Sequence, residues 1–381
     1  MTRCWLSETH LAITPVGKAL PCCRFKQNKW NVAFDDNLKT VFENSELQDL
    51  RNSLQNNIKH ERCSKCWMQE DNNILSMRVQ YNKEKNFELL DTYNTYEKIH
   101  SLEIAFSNHC NYKCRHCNTF NSSRWKDDDI MLGNPVPDRL LLEPAVESLE
   151  LDKLVNLEHI KMLGGEPLLS KQHKKLLQNI NIEKINLEYV TNGSIWPDDE
   201  IVDLWKRAQS LHVIVSLDDI FDRSDYFRTD SNFTTIKNTM NRFEELRKQH
   251  LNMWCNIHCC INVLNLFHLD EIIQFMLEHF PNWHFTFDKI VHPAYLDISQ
   301  WSWQHAGHQI HKLGKIDKSI PLDSLLNDHK KRNIGKIVKL LSSSCKNDRC
   351  DFTKLLEINT LLDKSRDTNL LDVHPYFERY I

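Results

Sequence analysis

Residues 100–298 predict an α/β fold built on a parallel sheet. One observation is an alternation of six short apolar runs with longer amphipathic stretches. The other is that the chemistry-bearing motifs each follow one of those runs, where ligands gather in parallel α/β folds.

The strand candidates are residues 101–107, 158–164, 184–193, 211–218, 252–265 and 283–291. Each is rich in β-branched and aromatic residues and stops at Gly, Asn or Asp, as strands do. Helix-like segments lie between them: "KQHKKLLQNI", "DDEIVDLWKRAQ", "TTIKNTMNRFEELRKQ" and "LDEIIQFMLEHF". The second and fourth open on acidic residues, which the helix dipole favours at an N-terminus. Periodicity alone fits a curved partial barrel and an open doubly wound sheet equally.

Residues 1–99 have a different texture, with short apolar pieces, five cysteines and one clear helical stretch, "NSELQDLRNSLQNN". A polar connector, "YNKEKNFELLDTYNTYEK", leads into the first strand of the α/β region. Residues 299–381 read as a mainly helical extension. The expected domains are therefore 1–99, 100–298 and 299–381.

With 381 residues the chain is long enough for a large core. Its 41% hydrophobic and 26% charged residues are ordinary for a globular protein. A net charge of −4 gives no electrostatic footprint for nucleic acid or a membrane surface. No apolar stretch is long enough to span a bilayer, and the N-terminus "MTRCWLSETH" has no signal-like apolar core. The expected compartment is the cytoplasm, where thiols stay reduced. Thirteen cysteines then read as metal ligands and buried thiols rather than a disulfide framework.

Three of these thiols, Cys110, Cys114 and Cys117, crowd into "NHCNYKCRHCN" directly after the first strand. By spacing alone they fit a zinc site completed by His109 or His116. A redox pair would leave Cys110 without a role. A [4Fe–4S] cluster on three thiolates would keep one iron open, which suits catalysis.

The C-x3-C-x2-C loop after a first strand resembles the signature of the radical S-adenosylmethionine (radical SAM) superfamily. "GGEP" (Gly164, Gly165, Glu166, Pro167) ends the second strand, "TNG" (191–193) the third and "SLD" (216–218) the fourth, as in that family. The resemblance spans about 100–295 and implies a partial (β/α)6 TIM-like barrel. It implies a [4Fe–4S] cluster on Cys110, Cys114 and Cys117 whose open iron is chelated by S-adenosylmethionine. The two glycines let backbone approach that ligand. Glu166 would accept from its ammonium, and Pro167 would fix the turn.

Asn192 and Ser216 are expected at the methionine or ribose, with Asp218 nearby. Val263 and His116 are expected at the adenine, and Arg228 at a carboxylate of cofactor or substrate unless it is a solvated surface side chain. Asp219 stands where many members carry Gly, a departure that would alter the pocket.

Near the N-terminus, Cys4, Gly17 and Cys22 follow a C-x(n)-G-x4-C arrangement similar to SPASM and twitch auxiliary-cluster domains. Cys63 and Cys66, from "CSKC", bring the thiolates to four, enough for a second [4Fe–4S] cluster or a zinc site, with Cys23 as a substitute for Cys22. Such domains usually follow the barrel, whereas this one precedes it.

Cys255, Cys259 and Cys260 read as buried apolar thiols in the fifth strand. Cys345 and Cys350 read as free thiols or completing ligands, and the histidines of "WSWQHAGHQIHK" as solvated, substrate-facing or metal-binding. The resemblance implies reductive cleavage of S-adenosylmethionine and hydrogen abstraction from a peptide or protein side chain, with flavodoxin or ferredoxin as reductant. The alternatives are a radical SAM enzyme for a small metabolite, such as a sugar or nucleotide, and a non-catalytic zinc- or cluster-bearing module.

Overall fold

The computed structural model describes residues 2–27, 30–34, 37–144, 149–250 and 252–381. Among these, the strands are β1 (His10–Ile13), β2 (Ala19–Leu20), β3 (Ser101–Ala105), β4 (Lys113–Cys114), β5 (His159–Leu163), β6 (Asn186–Thr191), β7 (Ser210–Ser216), β8 (Arg228–Thr229), β9 (Met253–Ile261) and β10 (His284–Lys289). All six strands expected from the α/β alternation form, as β3, β5, β6, β7, β9 and β10. The α/β class, the parallel strands and the helical C-terminal stretch are those the sequence predicts.

The chain divides into two compact units. The first comprises Met1–His109, Arg139–Val190 and Pro197–Leu211. Its strands run in the order β6-β5-β3-β1-β2. β1, β3, β5 and β6 are parallel, and β2 closes a hairpin on β1. Leu102, Ile104, Ile160, Met162, Leu187 and Tyr189 bury one face of this sheet. Helix Lys171–Gln178 contributes Leu176, Leu177 and His173 to the core, and the His173 ring meets the Tyr189 hydroxyl at 2.6 Å. β1 is an addition: the cysteine-rich segment supplies a strand to the sheet, pairing His10 with Ser101.

The stretch read as a plain connector is largely helical, with turns at Met77–Asn82, Phe87–Asp91 and Thr95–Lys98. Asn86 caps one, and Asn94 with Glu97 forms a capping box on the next. These caps satisfy the orphan amides that make so polar a segment helical.

The second unit comprises Cys110–Asp138, Thr191–Trp196 and His212–Ile381. β9 pairs in parallel with β10, Ile257 facing Phe285, in the order β10-β9-β7. Helices Phe233–Gln249 and Leu269–His279 bury Ile236, Phe243, Ile272 and Phe275. The C-terminal stretch adds helices Trp303–Ser319, Leu325–Ser344 and Thr353–Arg366. Ile358 and Leu362 of the last helix pack with Trp125, and Cys117 lies against that cluster. Among the described residues no helix is long and apolar enough to cross a membrane.

Candidate metal centre

In the second unit the Cys110–Cys117 loop is pinned along its whole length. β4 carries Cys114 and pairs antiparallel with β8, setting Cys114 directly opposite Arg228. The amide of Cys117 donates to the Cys114 carbonyl at 2.9 Å, and the Trp125 indole donates to the same carbonyl at 2.9 Å. Ser122 Oγ donates to the Tyr112 carbonyl at 2.7 Å.

The last helix braces this loop with two arginines. Arg115, fully buried, donates to Asn359 at 2.8 Å and Asp363 at 2.5 Å and stacks on Tyr226 at 3.7 Å. Arg366 donates to the Lys113 carbonyl at 2.8 Å, pairs with Asp128 at 2.9 Å and lies 4.7 Å from the Trp125 ring. Neither arginine stands out in the sequence.

Polar hydrogens are turned toward the sulfurs. The Tyr112 amide approaches Cys110 Sγ at 3.5 Å, and Asn192 Nδ2 does so at 3.8 Å. Arg228 Nη1 reaches Cys114 Sγ at 3.8 Å. Burial pushes the Cys114 thiol up to about 12, with Arg228 pulling the other way. Burial also raises Cys117, and Cys114 and Cys110 add to that. The thiols are thus within electrostatic reach of one another. As they stand, no three His, Cys, Asp or Glu side chains among the described residues are placed to hold a metal ion.

Arg228 is a buried side chain, which excludes the solvated-surface alternative. It pairs with Asp218 at 2.5 Å, 5% and 1% exposed. Burial works against its charge, but Asp218 and Cys114 more than offset that and its pKa moves up. Its Nε has no partner among the described residues, nor does His116 Nδ1. Asp218 also accepts from the Cys260 amide at 2.8 Å, so its carboxylate is occupied within the chain.

Asp219 pairs with Arg223 at 2.9 Å. His116 stacks on Phe227 at 5.3 Å, and Val263 is fully buried, its amide bonded to Leu296 and its carbonyl to Trp301. Ser216, half-buried, ends β7. Cys255 and Cys259 are fully buried, as expected, and Cys260 partly so. Cys350 Sγ contacts His305 at 3.5 Å, while the Cys345 thiol donates to the Ile298 carbonyl at 3.1 Å.

In the first unit, "GGEP" is sealed onto the strand end that runs into Cys110. The Gly165 amide donates to Ser107 at 2.7 Å and the Glu166 amide to His109 at 2.9 Å. A Cβ on Gly165 would lie 2.2 Å from the His109 carbonyl oxygen, and one on Gly164, at φ +129°, 2.6 Å from that of Ser107. Only glycine permits that approach. Glu166, 1% exposed, accepts from the Leu168 amide at 3.3 Å and opens the short helix Pro167–Leu169.

The N-terminal cysteines lie in the same unit. Cys4 and Cys63 each precede a helix and Cys66 lies on the second, while Cys22 follows the hairpin turned at Gly17, φ +71°. Burial pushes Cys4 up to about 11, with Cys66 adding to it. Cys63 rises to about 12, from burial and then from Cys4 and Cys66. Burial raises Cys22 too, and Cys4 and Cys63 raise it further, whereas Cys23 feels Glu103 and Lys161. Cys4, Cys23 and Cys63 all act on Cys22, and Cys66 acts on Cys4 and Cys63.

Both donor sets consist of thiols, soft ligands suited to iron–sulfur clusters or zinc. The family model described as the radical SAM superfamily matches residues 104–276, and one described as an iron–sulfur cluster-binding domain, SPASM, matches residues 4–67. The chain carries a radical SAM domain and, ahead of it, a SPASM iron–sulfur cluster-binding domain. The cofactors of this radical SAM protein are accordingly [4Fe–4S] clusters and S-adenosylmethionine.

Its N-terminal SPASM segment precedes the radical SAM core. The chain is 26% identical over 166 residues to the radical SAM cyclopropyl synthase TigE of Paramaledivibacter caminithermalis, covering 41% of this chain and 34% of that protein. The chain thus spans about a third of the length of that curated relative. Among solved structures it resembles native anSMEcpe with bound S-adenosylmethionine and a Cp18Cys peptide (18% identity, 57% of this chain, 60% of that one, TM-score 0.40). It also resembles Streptococcus suis SuiB bound to S-adenosylmethionine (16% identity, 73% and 59%, TM-score 0.41).

Proposed function

We propose that this chain is a radical SAM enzyme that abstracts a hydrogen atom from a peptide or protein side chain. The observation that carries the reading is the pinned three-thiol loop, with N–H groups turned to its sulfurs, preceded in the chain by residues sealed to the "GGEP" glycines. Held by Cys110, Cys114 and Cys117, a reduced [4Fe–4S] cluster with S-adenosylmethionine would supply one-electron reductive cleavage of the cofactor's C5′–S bond and, through it, hydrogen abstraction from a substrate C–H. A one-electron donor protein such as a flavodoxin or ferredoxin would replace that electron.

The chain's own residues supply position and electrostatics. Cys110, Cys114 and Cys117 hold the cluster, and Arg228, Asn192 and the Tyr112 amide stabilise negative charge on the sulfurs. Gly164 and Gly165 give the cofactor backbone contact that a side chain would block, and Glu166 and Pro167 hold that turn. Cys4, Cys22, Cys63 and Cys66 hold the auxiliary cluster. A peptide substrate is inferred because auxiliary-cluster members of the superfamily commonly modify peptides.

The test is anaerobic reconstitution, reduction and measurement of 5′-deoxyadenosine. Wild type should form it, and the Cys110→Ala/Cys114→Ala/Cys117→Ala variant should form none. No product from wild type retaining its iron would sink the catalytic reading and favour a cluster-bearing binding module.

A further inference from the structure

In the second unit, helices Trp303–Ser319 and Leu325–Ser344 pack on each other as a hairpin whose charge runs against that of the chain. Residues 303–344 hold eight Lys and Arg against three Asp and no Glu, whereas the whole chain has a net charge of −4. On the first helix His308, His311, Lys315 and Lys318 follow at spacings of three and four, which sets them on one face, and all four are exposed. The one acidic residue of that helix, Asp317, is turned to Lys331 of the second helix at 3.4 Å, and Lys312 is paired with Asp270 at 3.0 Å. Lys315 and Lys318 have no ion pair among the described residues. The helix dipole accounts for a lysine in the last turn, such as Lys318, but not for a basic row about three turns long.

The row runs into a tip with an apolar character of its own. Leu322 and Leu325 are 74% and 88% exposed. The turn does not use them. Ile320 takes the buried position, Ser324 caps the second helix by accepting from the Asn327 amide at 3.2 Å, and Lys331 donates to the Ile320 carbonyl at 3.3 Å. A single exposed leucine is ordinary. Two of them on a capped tip, at the end of an unpaired basic row, give one surface both an apolar and an electrostatic element.

We propose that this face, from His308 to Leu325, docks an acidic segment of the peptide substrate, away from the residue that is modified. Carboxylates of the segment meet Lys315 and Lys318, and an apolar side chain covers Leu322 and Leu325. The inference rests on the peptide reading above for the identity of the occupant. Complementary charge selects an acidic partner. The row rises about 15 Å along its helix, a length that about five extended residues cover. Nucleic acid would engage the lysines through its phosphates and leave the leucines uncovered, so the exposed leucines favour a polypeptide.

The test is fluorescence anisotropy with the full reconstituted chain and three labelled probes: a short peptide of Glu and Leu, a Glu-only peptide of the same length, and a single-stranded oligonucleotide of the same charge. The Glu/Leu peptide should bind saturably and about tenfold or more tighter than the Glu-only peptide, the scale of burying one leucine side chain. Lys315→Glu/Lys318→Glu should weaken both peptides by about tenfold or more. Leu322→Ser/Leu325→Ser, which leaves the charge intact, should erase the preference for the leucine-bearing peptide while the Glu-only peptide binds as before, a pattern that general damage to the fold would not give. Equal binding of the two peptides to wild type, unchanged binding in the lysine variant, or an oligonucleotide bound more tightly than either peptide overturns the docking surface. The 5′-deoxyadenosine assay on the same preparations reports the catalytic reading separately, so product formed without peptide preference rejects the docking surface alone.

Discussion

Replacing Gly165 by alanine tests the junction between "GGEP" and the strand end leading into the cysteine loop. The new Cβ would stand 2.2 Å from the His109 carbonyl oxygen, 2.5 Å from its carbon and 2.8 Å from that of Asn108. Comfortable carbon contacts are about 3.5–4 Å, so backbone must part by roughly 1 Å. That movement strains or breaks two hydrogen bonds, Gly165 to Ser107 at 2.7 Å and Glu166 to His109 at 2.9 Å. At about 0.5–1.5 kcal/mol each, with an added overpacking cost of about 1–3 kcal/mol, the expected loss is about 2–6 kcal/mol. S-adenosylmethionine binding should weaken by tenfold or more, because the displaced turn is the one assigned to its methionine.

The matched control is Gly307→Ala, where a Cβ meets nothing within 4 Å inside helix Trp303–Ser319. It should stabilise by about 0.5–1 kcal/mol. Denaturant unfolding and calorimetric titration with S-adenosylmethionine measure both variants. A Gly165→Ala protein that unfolds and binds like wild type would refute the close-approach argument.

Other consequences can be checked alongside. Burial lowers His173 from 6.5 to about 4, so the native state resists its protonation while the unfolded chain accepts it. That costs stability as pH falls through 6.5 toward 4, and His173→Gln should flatten the loss by roughly 2 kcal/mol between pH 7 and 5, read from urea midpoints. Arg228→Met strands Asp218 without its counter-charge and should cost about 3–5 kcal/mol; wild-type stability in this variant would show that the pair is not load-carrying. Iron counting separates the two thiol sets: Cys110→Ala/Cys114→Ala/Cys117→Ala should retain about four irons per chain, and adding alanines at Cys4, Cys22, Cys63 and Cys66 should remove them. Near-zero iron in the folded triad variant would dismiss the auxiliary cluster.

The six core strands were legible because each is a short run of β-branched and aromatic residues, and the structure moves their ends by a few residues at most, as at His159–Leu163. The thiol loop and "GGEP" were legible because their chemistry depends on residue type and local spacing. β1 was not, since its four residues, His10–Ile13, carry no turn signal before them and follow directly on helix Trp5–Thr9. The helical turn at Thr95–Lys98 did have a signal, the Asn94 to Glu97 spacing of a capping box. Arg115 had none: its importance comes from Asn359 and Asp363, and no local pattern reports partners so distant in the chain. Arg228 was read as reaching a carboxylate of cofactor or substrate, and the carboxylate it meets in the structure is the chain's own Asp218.

The brace on the cysteine loop also has a consequence for timing during synthesis. Arg115 and Asp363 are separated by 248 residues. At about 5–20 residues per second, the ribosome needs about 12–50 s after making the loop before it supplies the helix that holds it. During that interval the thiols of Cys110, Cys114 and Cys117 are presented on a loop lacking its Asn359, Asp363 and Arg366 contacts. Iron–sulfur delivery to a nascent chain would meet an open loop, whereas delivery to the finished chain would meet a clasped one, so the order of cluster insertion and C-terminal closure is written into the distance between these residues.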